Sequence, residues 1–323
     1  MIYFRILLIT IAALLYTSCS NKDDSVPGPI DEGFTYEAGL ESNEIQWEGR
    51  TRTFLVYYPL EKFKNESLPI LFSIHGGGGT AQAMITSTRN RFNELADRDG
   101  FIVVYPEGFE KQWNDGRDVQ GIVTAWDEDI NDVGFITSII DRLDTNLDVD
   151  RSKIFTTGIS NGGFMSSRLL CDRSDLFRGG AIVTATLSES YSNNCQPSSP
   201  NAVLVINGTE DPIVPYEGGQ VIVLGQERGE VLGTEPYMQF LANLNGCETT
   251  PTITDLADME DDGTTVQIYD YGNCPSSKLQ LYRIEGGGHT WPGSIDFLGE
   301  NLVGVTSQEF VACDVIWDFF SEL

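Results

Sequence analysis

Short apolar runs alternate with amphipathic stretches along most of the chain after residue 50. Almost wholly apolar runs bounded by Gly, Pro or polar residues predict strands that are covered on both faces. Strands are predicted in this way at 53–58, 69–74, 101–105, 153–157, 181–184, 203–206 and 279–284. Apolar residues at helical spacing predict helices at 81–98, 131–143, 162–171 and 308–320.

This alternation predicts an α/β fold, with a mostly parallel central sheet and helices on both of its faces. In such sheets the ligands bind beyond the carboxyl ends of the strands, where the connecting loops begin. A sequence motif that carries chemistry is therefore expected directly after a predicted strand, and three motifs meet this condition.

The amino terminus has a different pattern. Residues 1–18 combine Arg5 with a short apolar run and end in small residues before Cys19. This is typical of a signal peptide with a lipoprotein-type cleavage site, so we expect lipidation at Cys19. Residues 19–38 are polar and acidic and predict a flexible tether. The expected location is exported: lipid-anchored to the outer membrane or cell surface, or secreted.

The chain carries 48 acidic against 20 basic residues, a formal net charge of −28. Such a charge disfavours binding to nucleic acid and to anionic membrane surfaces. We therefore expect no nucleic-acid partner and a membrane contact only through the lipid anchor. No cofactor is expected. The chain has only two histidines, which disfavours a histidine-based metal site, so no metal site is predicted.

The first motif is the G-x-S-x-G sequence at 158–162, between a predicted strand and a predicted helix. In this context the motif indicates a sharp turn that holds Ser160 with its hydroxyl exposed, as in the nucleophile turn of α/β-hydrolases. Glycines on both sides let strand and helix approach each other. Ser160 is therefore the predicted nucleophile, and residues 39–323 are predicted to form one α/β-hydrolase domain.

The second motif, HGGGG at 75–79, follows the strand predicted at 69–74. Consecutive glycines leave backbone N–H groups accessible, which an oxyanion hole requires. Gly77 and Gly78 are the expected donors from this loop, and the N–H group of Asn161 is the expected third donor. A phosphate-binding loop is disfavoured because no Lys-Ser/Thr pair follows the glycines.

The third motif, GGGHTWPG at 286–293, follows the strand predicted at 279–284. A serine nucleophile needs an adjacent base, and histidine is the usual base near neutral pH. The other histidine, His75, is expected to shape its glycine loop, so His289 is the predicted base. The orienting acid should lie between serine and histidine in the chain. Asp211, in the turn after the strand at 203–206, is preferred to Glu210 because its side chain is shorter.

Five cysteines remain besides Cys19. Cys171 with Cys195 and Cys247 with Cys274 would each close a local loop, although sequence alone leaves the connectivity open. Cys313 lies in the apolar pattern of the last predicted helix and is expected to be a buried free thiol.

Taken with these motifs, the sequence resembles the polyhydroxybutyrate depolymerase-like esterases and the feruloyl and acetyl-xylan esterases of carbohydrate esterase family 1. The resemblance rests on HGGGG at 75–79, NDVGFITSIIDRL at 131–143, GISNGGFMSSRLLC at 158–171, NGTEDPIVPYEGG at 207–219 and GGGHTWPG at 286–293. It implies a catalytic triad of Ser160, Asp211 and His289, and it implies both disulfides. Asn207 departs from the histidine that many members have there, at a position expected to be structural.

The resemblance implies an ester substrate, either a polyester or an acylated plant polysaccharide or its oligosaccharides. Trp291, Trp126 and Trp113 are expected to form an aromatic platform for sugar or phenolic acyl groups, with plain packing as the alternative. Two other functions compete with an exported esterase. One is a surface lipoprotein that binds polysaccharide on an inactive hydrolase scaffold, and the other is a serine peptidase of the same fold.

Overall fold

The computed structural model describes residues 34–117, 119–295 and 298–323. The predicted signal peptide and Cys19 lie outside these residues, so cleavage and lipidation stay predictions. Across the described part of the chain, no helix combines the length and the apolar character needed to cross a membrane.

Twelve strands and nine α-helices are found in the described residues. The strands are β1 (Gly39–Trp47), β2 (Arg50–Tyr58), β3 (Leu68–Ile74), β4 (Ile102–Pro106), β5 (Val149–Ile159), β6 (Gly179–Val183), β7 (Ala202–Gly208), β8 (Gly219–Val223), β9 (Gln226–Val231), β10 (Thr252–Asp255), β11 (Thr265–Tyr271) and β12 (Leu279–Glu285). The helices are α1 (Ala81–Ser87), α2 (Arg91–Asp99), α3 (Thr124–Asp127), α4 (Asp132–Asp144), α5 (Asn161–Asp172), α6 (Glu189–Ser192), α7 (Thr234–Asn245), α8 (Glu300–Val303) and α9 (Ala312–Ser321).

Ten strands form one sheet in the order β1-β2-β4-β3-β5-β6-β7-β12-β11-β10. The six strands from β4 to β12 in this order pair in parallel, and antiparallel strands extend the sheet at both edges. The predicted fold class, a mostly parallel sheet, is thus confirmed. Strands β8 and β9 form a separate antiparallel hairpin.

The two faces of the sheet carry separate hydrophobic layers, because successive side chains of a strand point to opposite sides. On β3, Phe72 packs in the layer with helices α4, α5 and α7, whereas Leu71 packs in the layer with α1, α2 and α9. Helices therefore cover both faces, and the site can form only at the strand ends and in the loops beyond them.

Both disulfides join the expected partners, Cys171 to Cys195 and Cys247 to Cys274. The first ties the end of helix α5 to the loop before β7, and the second ties the loop after α7 to the loop after β11. Cys313 on α9 is buried and unpaired, as expected.

Candidate active site

Ser160 occupies the turn between strand β5 and helix α5, with φ of 55° and ψ of −123°. This left-handed conformation is strained for a residue with a side chain and is held only by its surroundings. The Ser160 N–H group donates to the Val183 carbonyl at 3.0 Å, which ties the turn to the end of β6. The serine is thereby fixed at the carboxyl end of the parallel sheet.

The glycines around Ser160 are required by close approach of the backbone. A Cβ atom on Gly162 would lie 2.3 Å from the Ile74 carbonyl oxygen, and one on Gly158 would lie 2.4 Å from the Gly162 carbonyl oxygen. Any side chain at either position would push helix α5 away from β3 and β5. The G-x-S-x-G spacing thus has the steric basis that the sequence suggested.

Asp211 and His289 meet beyond the ends of the adjacent strands β7 and β12. The Asp211 side chain is almost fully buried, and its Oδ1 accepts hydrogen bonds from the Ile213 and Val214 N–H groups, both at 2.8 Å. Its Oδ2 lies 2.7 Å from His289 Nδ1. Because a carboxylate only accepts, this contact places the imidazole proton on Nδ1 and leaves the lone pair on Nε2.

Ser160 and His289 line one cleft of about 320 Å³. Gly76, Gly77 and Asn161 border the same space. Among the described residues no hydrogen bond joins the Ser160 hydroxyl to the imidazole. In ligand-free hydrolases this contact is often long and tightens only when substrate is bound.

Two of the three expected oxyanion donors face the cleft. Gly77 lines it, as does Asn161, the first residue of helix α5. The Asn161 side chain is held by Trp113 and Asp115. The group that Asn161 could offer to the cleft is therefore its backbone N–H, because the first N–H groups of a helix have no partner within the helix.

The expectation for Gly78 needs correction. Its N–H group donates to the Lys111 carbonyl at 2.8 Å, and its φ of 76° turns the amide in that direction. The amide is therefore already engaged and is not offered to a substrate oxygen. Gly78 closes the loop, and Gly77 is the loop's candidate donor.

His75 has the structural role expected for it. It is buried, its Nδ1 lies 2.7 Å from the Gly76 carbonyl oxygen, and its Nε2 accepts from the Gly108 N–H group at 3.0 Å. Burial lowers the pKa of His75 to about 4. The ring is therefore neutral near pH 7, and both nitrogens are committed to holding the glycine loop.

This burial predicts a pH dependence of stability. A histidine with a lowered pKa in the folded state adds stability above its unfolded pKa of 6.5, and this stability is lost as pH falls toward 4. We expect about 3 kcal/mol of the free energy of unfolding to be lost over that range. Urea denaturation at pH 7.5 and pH 4.5 measures the loss.

The matched variant for this measurement is His75→Asn, which cannot be protonated. It should be less stable than the natural protein at pH 7.5 and should lose less stability on acidification. Apart from Glu107, whose carboxylate lies 3.7 Å from His75 Nε2, titrating carboxylates should contribute equally to both proteins. Equal losses in the two proteins would show that His75 is not the source.

The three predicted tryptophans are not equivalent. Trp126 and Trp291 line the cleft, although both are largely buried. Trp113 has no exposed surface, and its Nε1 donates to the His75 carbonyl at 2.9 Å. The expectation that Trp113 contacts substrate is therefore corrected: it packs beneath the glycine loop, its ring 5.0 Å from that of His75.

Sequence reasoning missed the side chains that complete the cleft walls. The β8–β9 hairpin and the turn before it supply Ile213, Val221 and Val223, and two arginines, Arg117 and Arg228, face the same space. The hairpin is short, and β9 is mostly polar, so the sequence has no apolar run that would predict it as a strand. Arg117 and Arg228 are far apart in the sequence, so no local pattern indicates that they meet.

Comparison with known proteins agrees with this geometry. No protein-family model matches the chain. The chain is 27% identical over 300 residues to "Putative esterase NocK" of Nocardia uniformis subsp. tsuyamanensis, covering 90% of this chain and 85% of that protein. It is 26% identical over 300 residues to "Probable feruloyl esterase C" of Aspergillus niger, covering 92% and 93% of the two chains.

Among solved structures, acetyl xylan esterase from Aspergillus awamori superposes with a TM-score of 0.58 at 14% identity, covering 88% of this chain and all of the other. At this identity the likeness concerns the fold. The chain is thus similar in sequence to named esterases and in fold to an acetyl xylan esterase. The protein is a carboxylic ester hydrolase.

Proposed function

We propose that this protein is an exported serine esterase in which Ser160 is the nucleophile, His289 the general base and Asp211 the residue that orients the histidine. The observation that carries the proposal is the 2.7 Å contact between Asp211 and His289 in a cleft that Ser160 also lines. Each of the three side chains follows a strand at the carboxyl end of the sheet, as the chemistry requires.

The proposed reaction passes through an acyl-enzyme. His289 Nε2 takes the proton of the Ser160 hydroxyl as its oxygen attacks the ester carbonyl, and returns that proton to the leaving alcohol. Water, deprotonated by the same imidazole, then releases the acid. The N–H groups of Gly77 and Asn161 stabilise the negative charge on the carbonyl oxygen. Asp211 keeps the proton on Nδ1 and stabilises the imidazolium without taking that proton.

For the substrate, we propose feruloyl or acetyl esters of plant polysaccharide or its oligosaccharides, with short polyesters as the alternative. The names of the relatives support this choice. The cleft volume of about 320 Å³, with a mostly apolar surface that includes Trp126 and Trp291, also suits a phenolic or short acyl group. Trp113 supports this wall from behind.

Covalent labelling tests the proposal. A fluorophosphonate probe should label the protein once, and mass spectrometry of its peptides should place the label on Ser160. The purified protein should hydrolyse p-nitrophenyl acetate, and release of ferulate, acetate and 3-hydroxybutyrate from matched esters would rank the acyl groups. A protein that takes up no label and releases no acid would be a binding module, contrary to the proposal.

A further inference from the structure

The charges that line the cleft differ in sign from those of the whole protein. Acidic residues outnumber basic residues by 48 to 20 over the chain. The described residues lining the cleft nevertheless include Arg117 and Arg228 and no Asp or Glu. Because the net charge repels anions at long range, a local unpaired cation is what would admit an anionic group to this space.

The two arginines are in different electrostatic states. Arg117 is buried and is neutralised by Asp115, whose Oδ2 lies 2.6 Å from its terminal nitrogen. Asp115 also accepts from the Asn161 side chain at 2.6 Å, so this pair supports the residue after the nucleophile. Arg117 is further held over the rings of Trp126 and Phe164. Its charge is therefore part of the scaffold.

Arg228, on strand β9, has no carboxylate partner among the described residues. Its Nη2 donates a hydrogen bond to the neutral Gln226 side chain at 2.9 Å, and its Nε–H group is buried without an acceptor among the described residues. A buried donor without a partner is unfavourable unless a ligand supplies the acceptor. The pKa of Arg228 is lowered by burial and by repulsion from Arg117. A bound anion would favour the charged guanidinium and so offset both effects.

The hairpin holds this guanidinium against the rest of the site. A Cβ atom on Gly229 would lie 3.5 Å from Cβ of Arg117, so β9 packs directly on the Arg117 segment. Val221 and Val223 of β8 line the same cleft. Arg228 is thus a cation on a β-hairpin at the wall of the cleft that holds Ser160. A planar guanidinium in such a place matches the two oxygens of a carboxylate.

We propose that Arg228 forms an anion subsite, and that the preferred ester substrates carry a carboxylate near the scissile bond. This inference rests on the esterase function proposed above and adds a substrate class to it. The carboxylate could belong to the acyl group, as in a monoester of a dicarboxylic acid, or to the alcohol, as in an ester of an acidic sugar. In either case Arg228 is a specificity residue and takes no part in proton transfer.

Two pairs of matched esters test the subsite. For the acyl side, mono-4-nitrophenyl glutarate is compared with 4-nitrophenyl pentanoate. For the alcohol side, 4-acetoxybenzoate is compared with 4-acetoxybenzamide. The quantity measured is the ratio of kcat/KM for the anionic ester to that for the neutral ester. We expect Arg228→Gln to lower this ratio about 10-fold or more in at least one pair, with little change for the neutral esters.

Two further variants separate a specific contact from a general effect of charge. Arg228→Lys keeps the cation and should restore part of the ratio. Arg151→Gln also removes one positive charge, but near the amino end of β5, the end away from Ser160. Arg151 pairs there with Asp141 and Asp144, so this variant should leave the ratio unchanged. A shift confined to one pair of esters assigns the carboxylate to the acyl or to the alcohol side.

An unchanged ratio in both pairs for Arg228→Gln, with neutral esters still hydrolysed, would overturn the anion subsite and leave the esterase proposal intact. An equal ratio loss in Arg151→Gln would also overturn it, because the effect would then come from net charge. Failure of the esterase proposal looks different: neither neutral ester would be hydrolysed by the natural protein, and the fluorophosphonate probe would not label it.

Discussion

Replacing Ser160 with alanine is expected to lower kcat/KM for p-nitrophenyl acetate by about 10⁴- to 10⁶-fold. The loss is this large because no acyl-enzyme can form without the hydroxyl oxygen. What remains would come from the oxyanion donors and from substrate binding alone. Steady-state kinetics with the purified variant measures the effect.

The fold should tolerate this substitution. The turn is held by the Ser160 N–H bond to Val183 and by the packing of Gly158 and Gly162, and none of these contacts uses the side chain. Alanine also meets the same backbone strain as serine at a φ of 55°. The midpoint of thermal unfolding should therefore not fall, so lost activity can be attributed to chemistry.

Ser87 offers a matched control. It lines the same cleft, but its hydroxyl donates to the Met84 carbonyl at 2.9 Å within its own helix. Ser87→Ala should therefore keep most of the esterase activity. If Ser160→Ala retained activity and Ser87→Ala lost it, the nucleophile would have been assigned to the wrong serine.

The strands of the buried sheet could be predicted because their sequences are almost wholly apolar. Strands β3, β4 and β7 lie between hydrophobic layers, and almost all of their residues are buried. Strand β1 has alternating, mostly polar residues, and β10 is exposed throughout, so neither gave a comparable signal. Both are edge strands, and their position depends on pairing with one neighbour.

The helix predicted at 81–98 shows how local geometry overrides periodicity. The structure divides it into α1 and α2, with Arg89 and Asn90 between them at positive φ. Asn tolerates this conformation, and the Thr88 hydroxyl bonds to the carbonyls of the preceding turn. Apolar spacing continues across the break because both helices pack on the same face of the sheet.

Within the site, residues fixed by local chain geometry were predictable and residues fixed by distant contacts were not. Ser160 and its glycines follow from a strand–turn–helix sequence. The engagement of Gly78 depends on Lys111, and the placing of Arg228 depends on the β8–β9 hairpin packing against Arg117. Asn207 is a buried strand-end residue bonded to Ala185 and Thr234, which is the structural role expected for it.

The second large effect is expected at Asp211, where Asp211→Asn should lower kcat by about 10⁴-fold with little change in structure. The amide oxygen of asparagine can still accept from the Ile213 and Val214 N–H groups, but the group facing His289 Nδ1 becomes a donor. The imidazole proton must then move to Nε2, the nitrogen that should accept the serine proton. Nitrogen NMR of His289 would report the change of tautomer directly.

Glu210 is the matched control because it is adjacent in sequence, carries the same charge and is exposed. Glu210→Gln removes one negative charge from the same turn without touching the Asp211–His289 contact, so we expect nearly unchanged kcat and an Nδ1–H tautomer. If Glu210→Gln were instead the inactive variant, the orienting carboxylate would be Glu210. The sequence-based choice of Asp211, made because its side chain is shorter, would then be wrong. The hydrogen bonds from the Ile213 and Val214 N–H groups to Asp211 would only stabilise the turn.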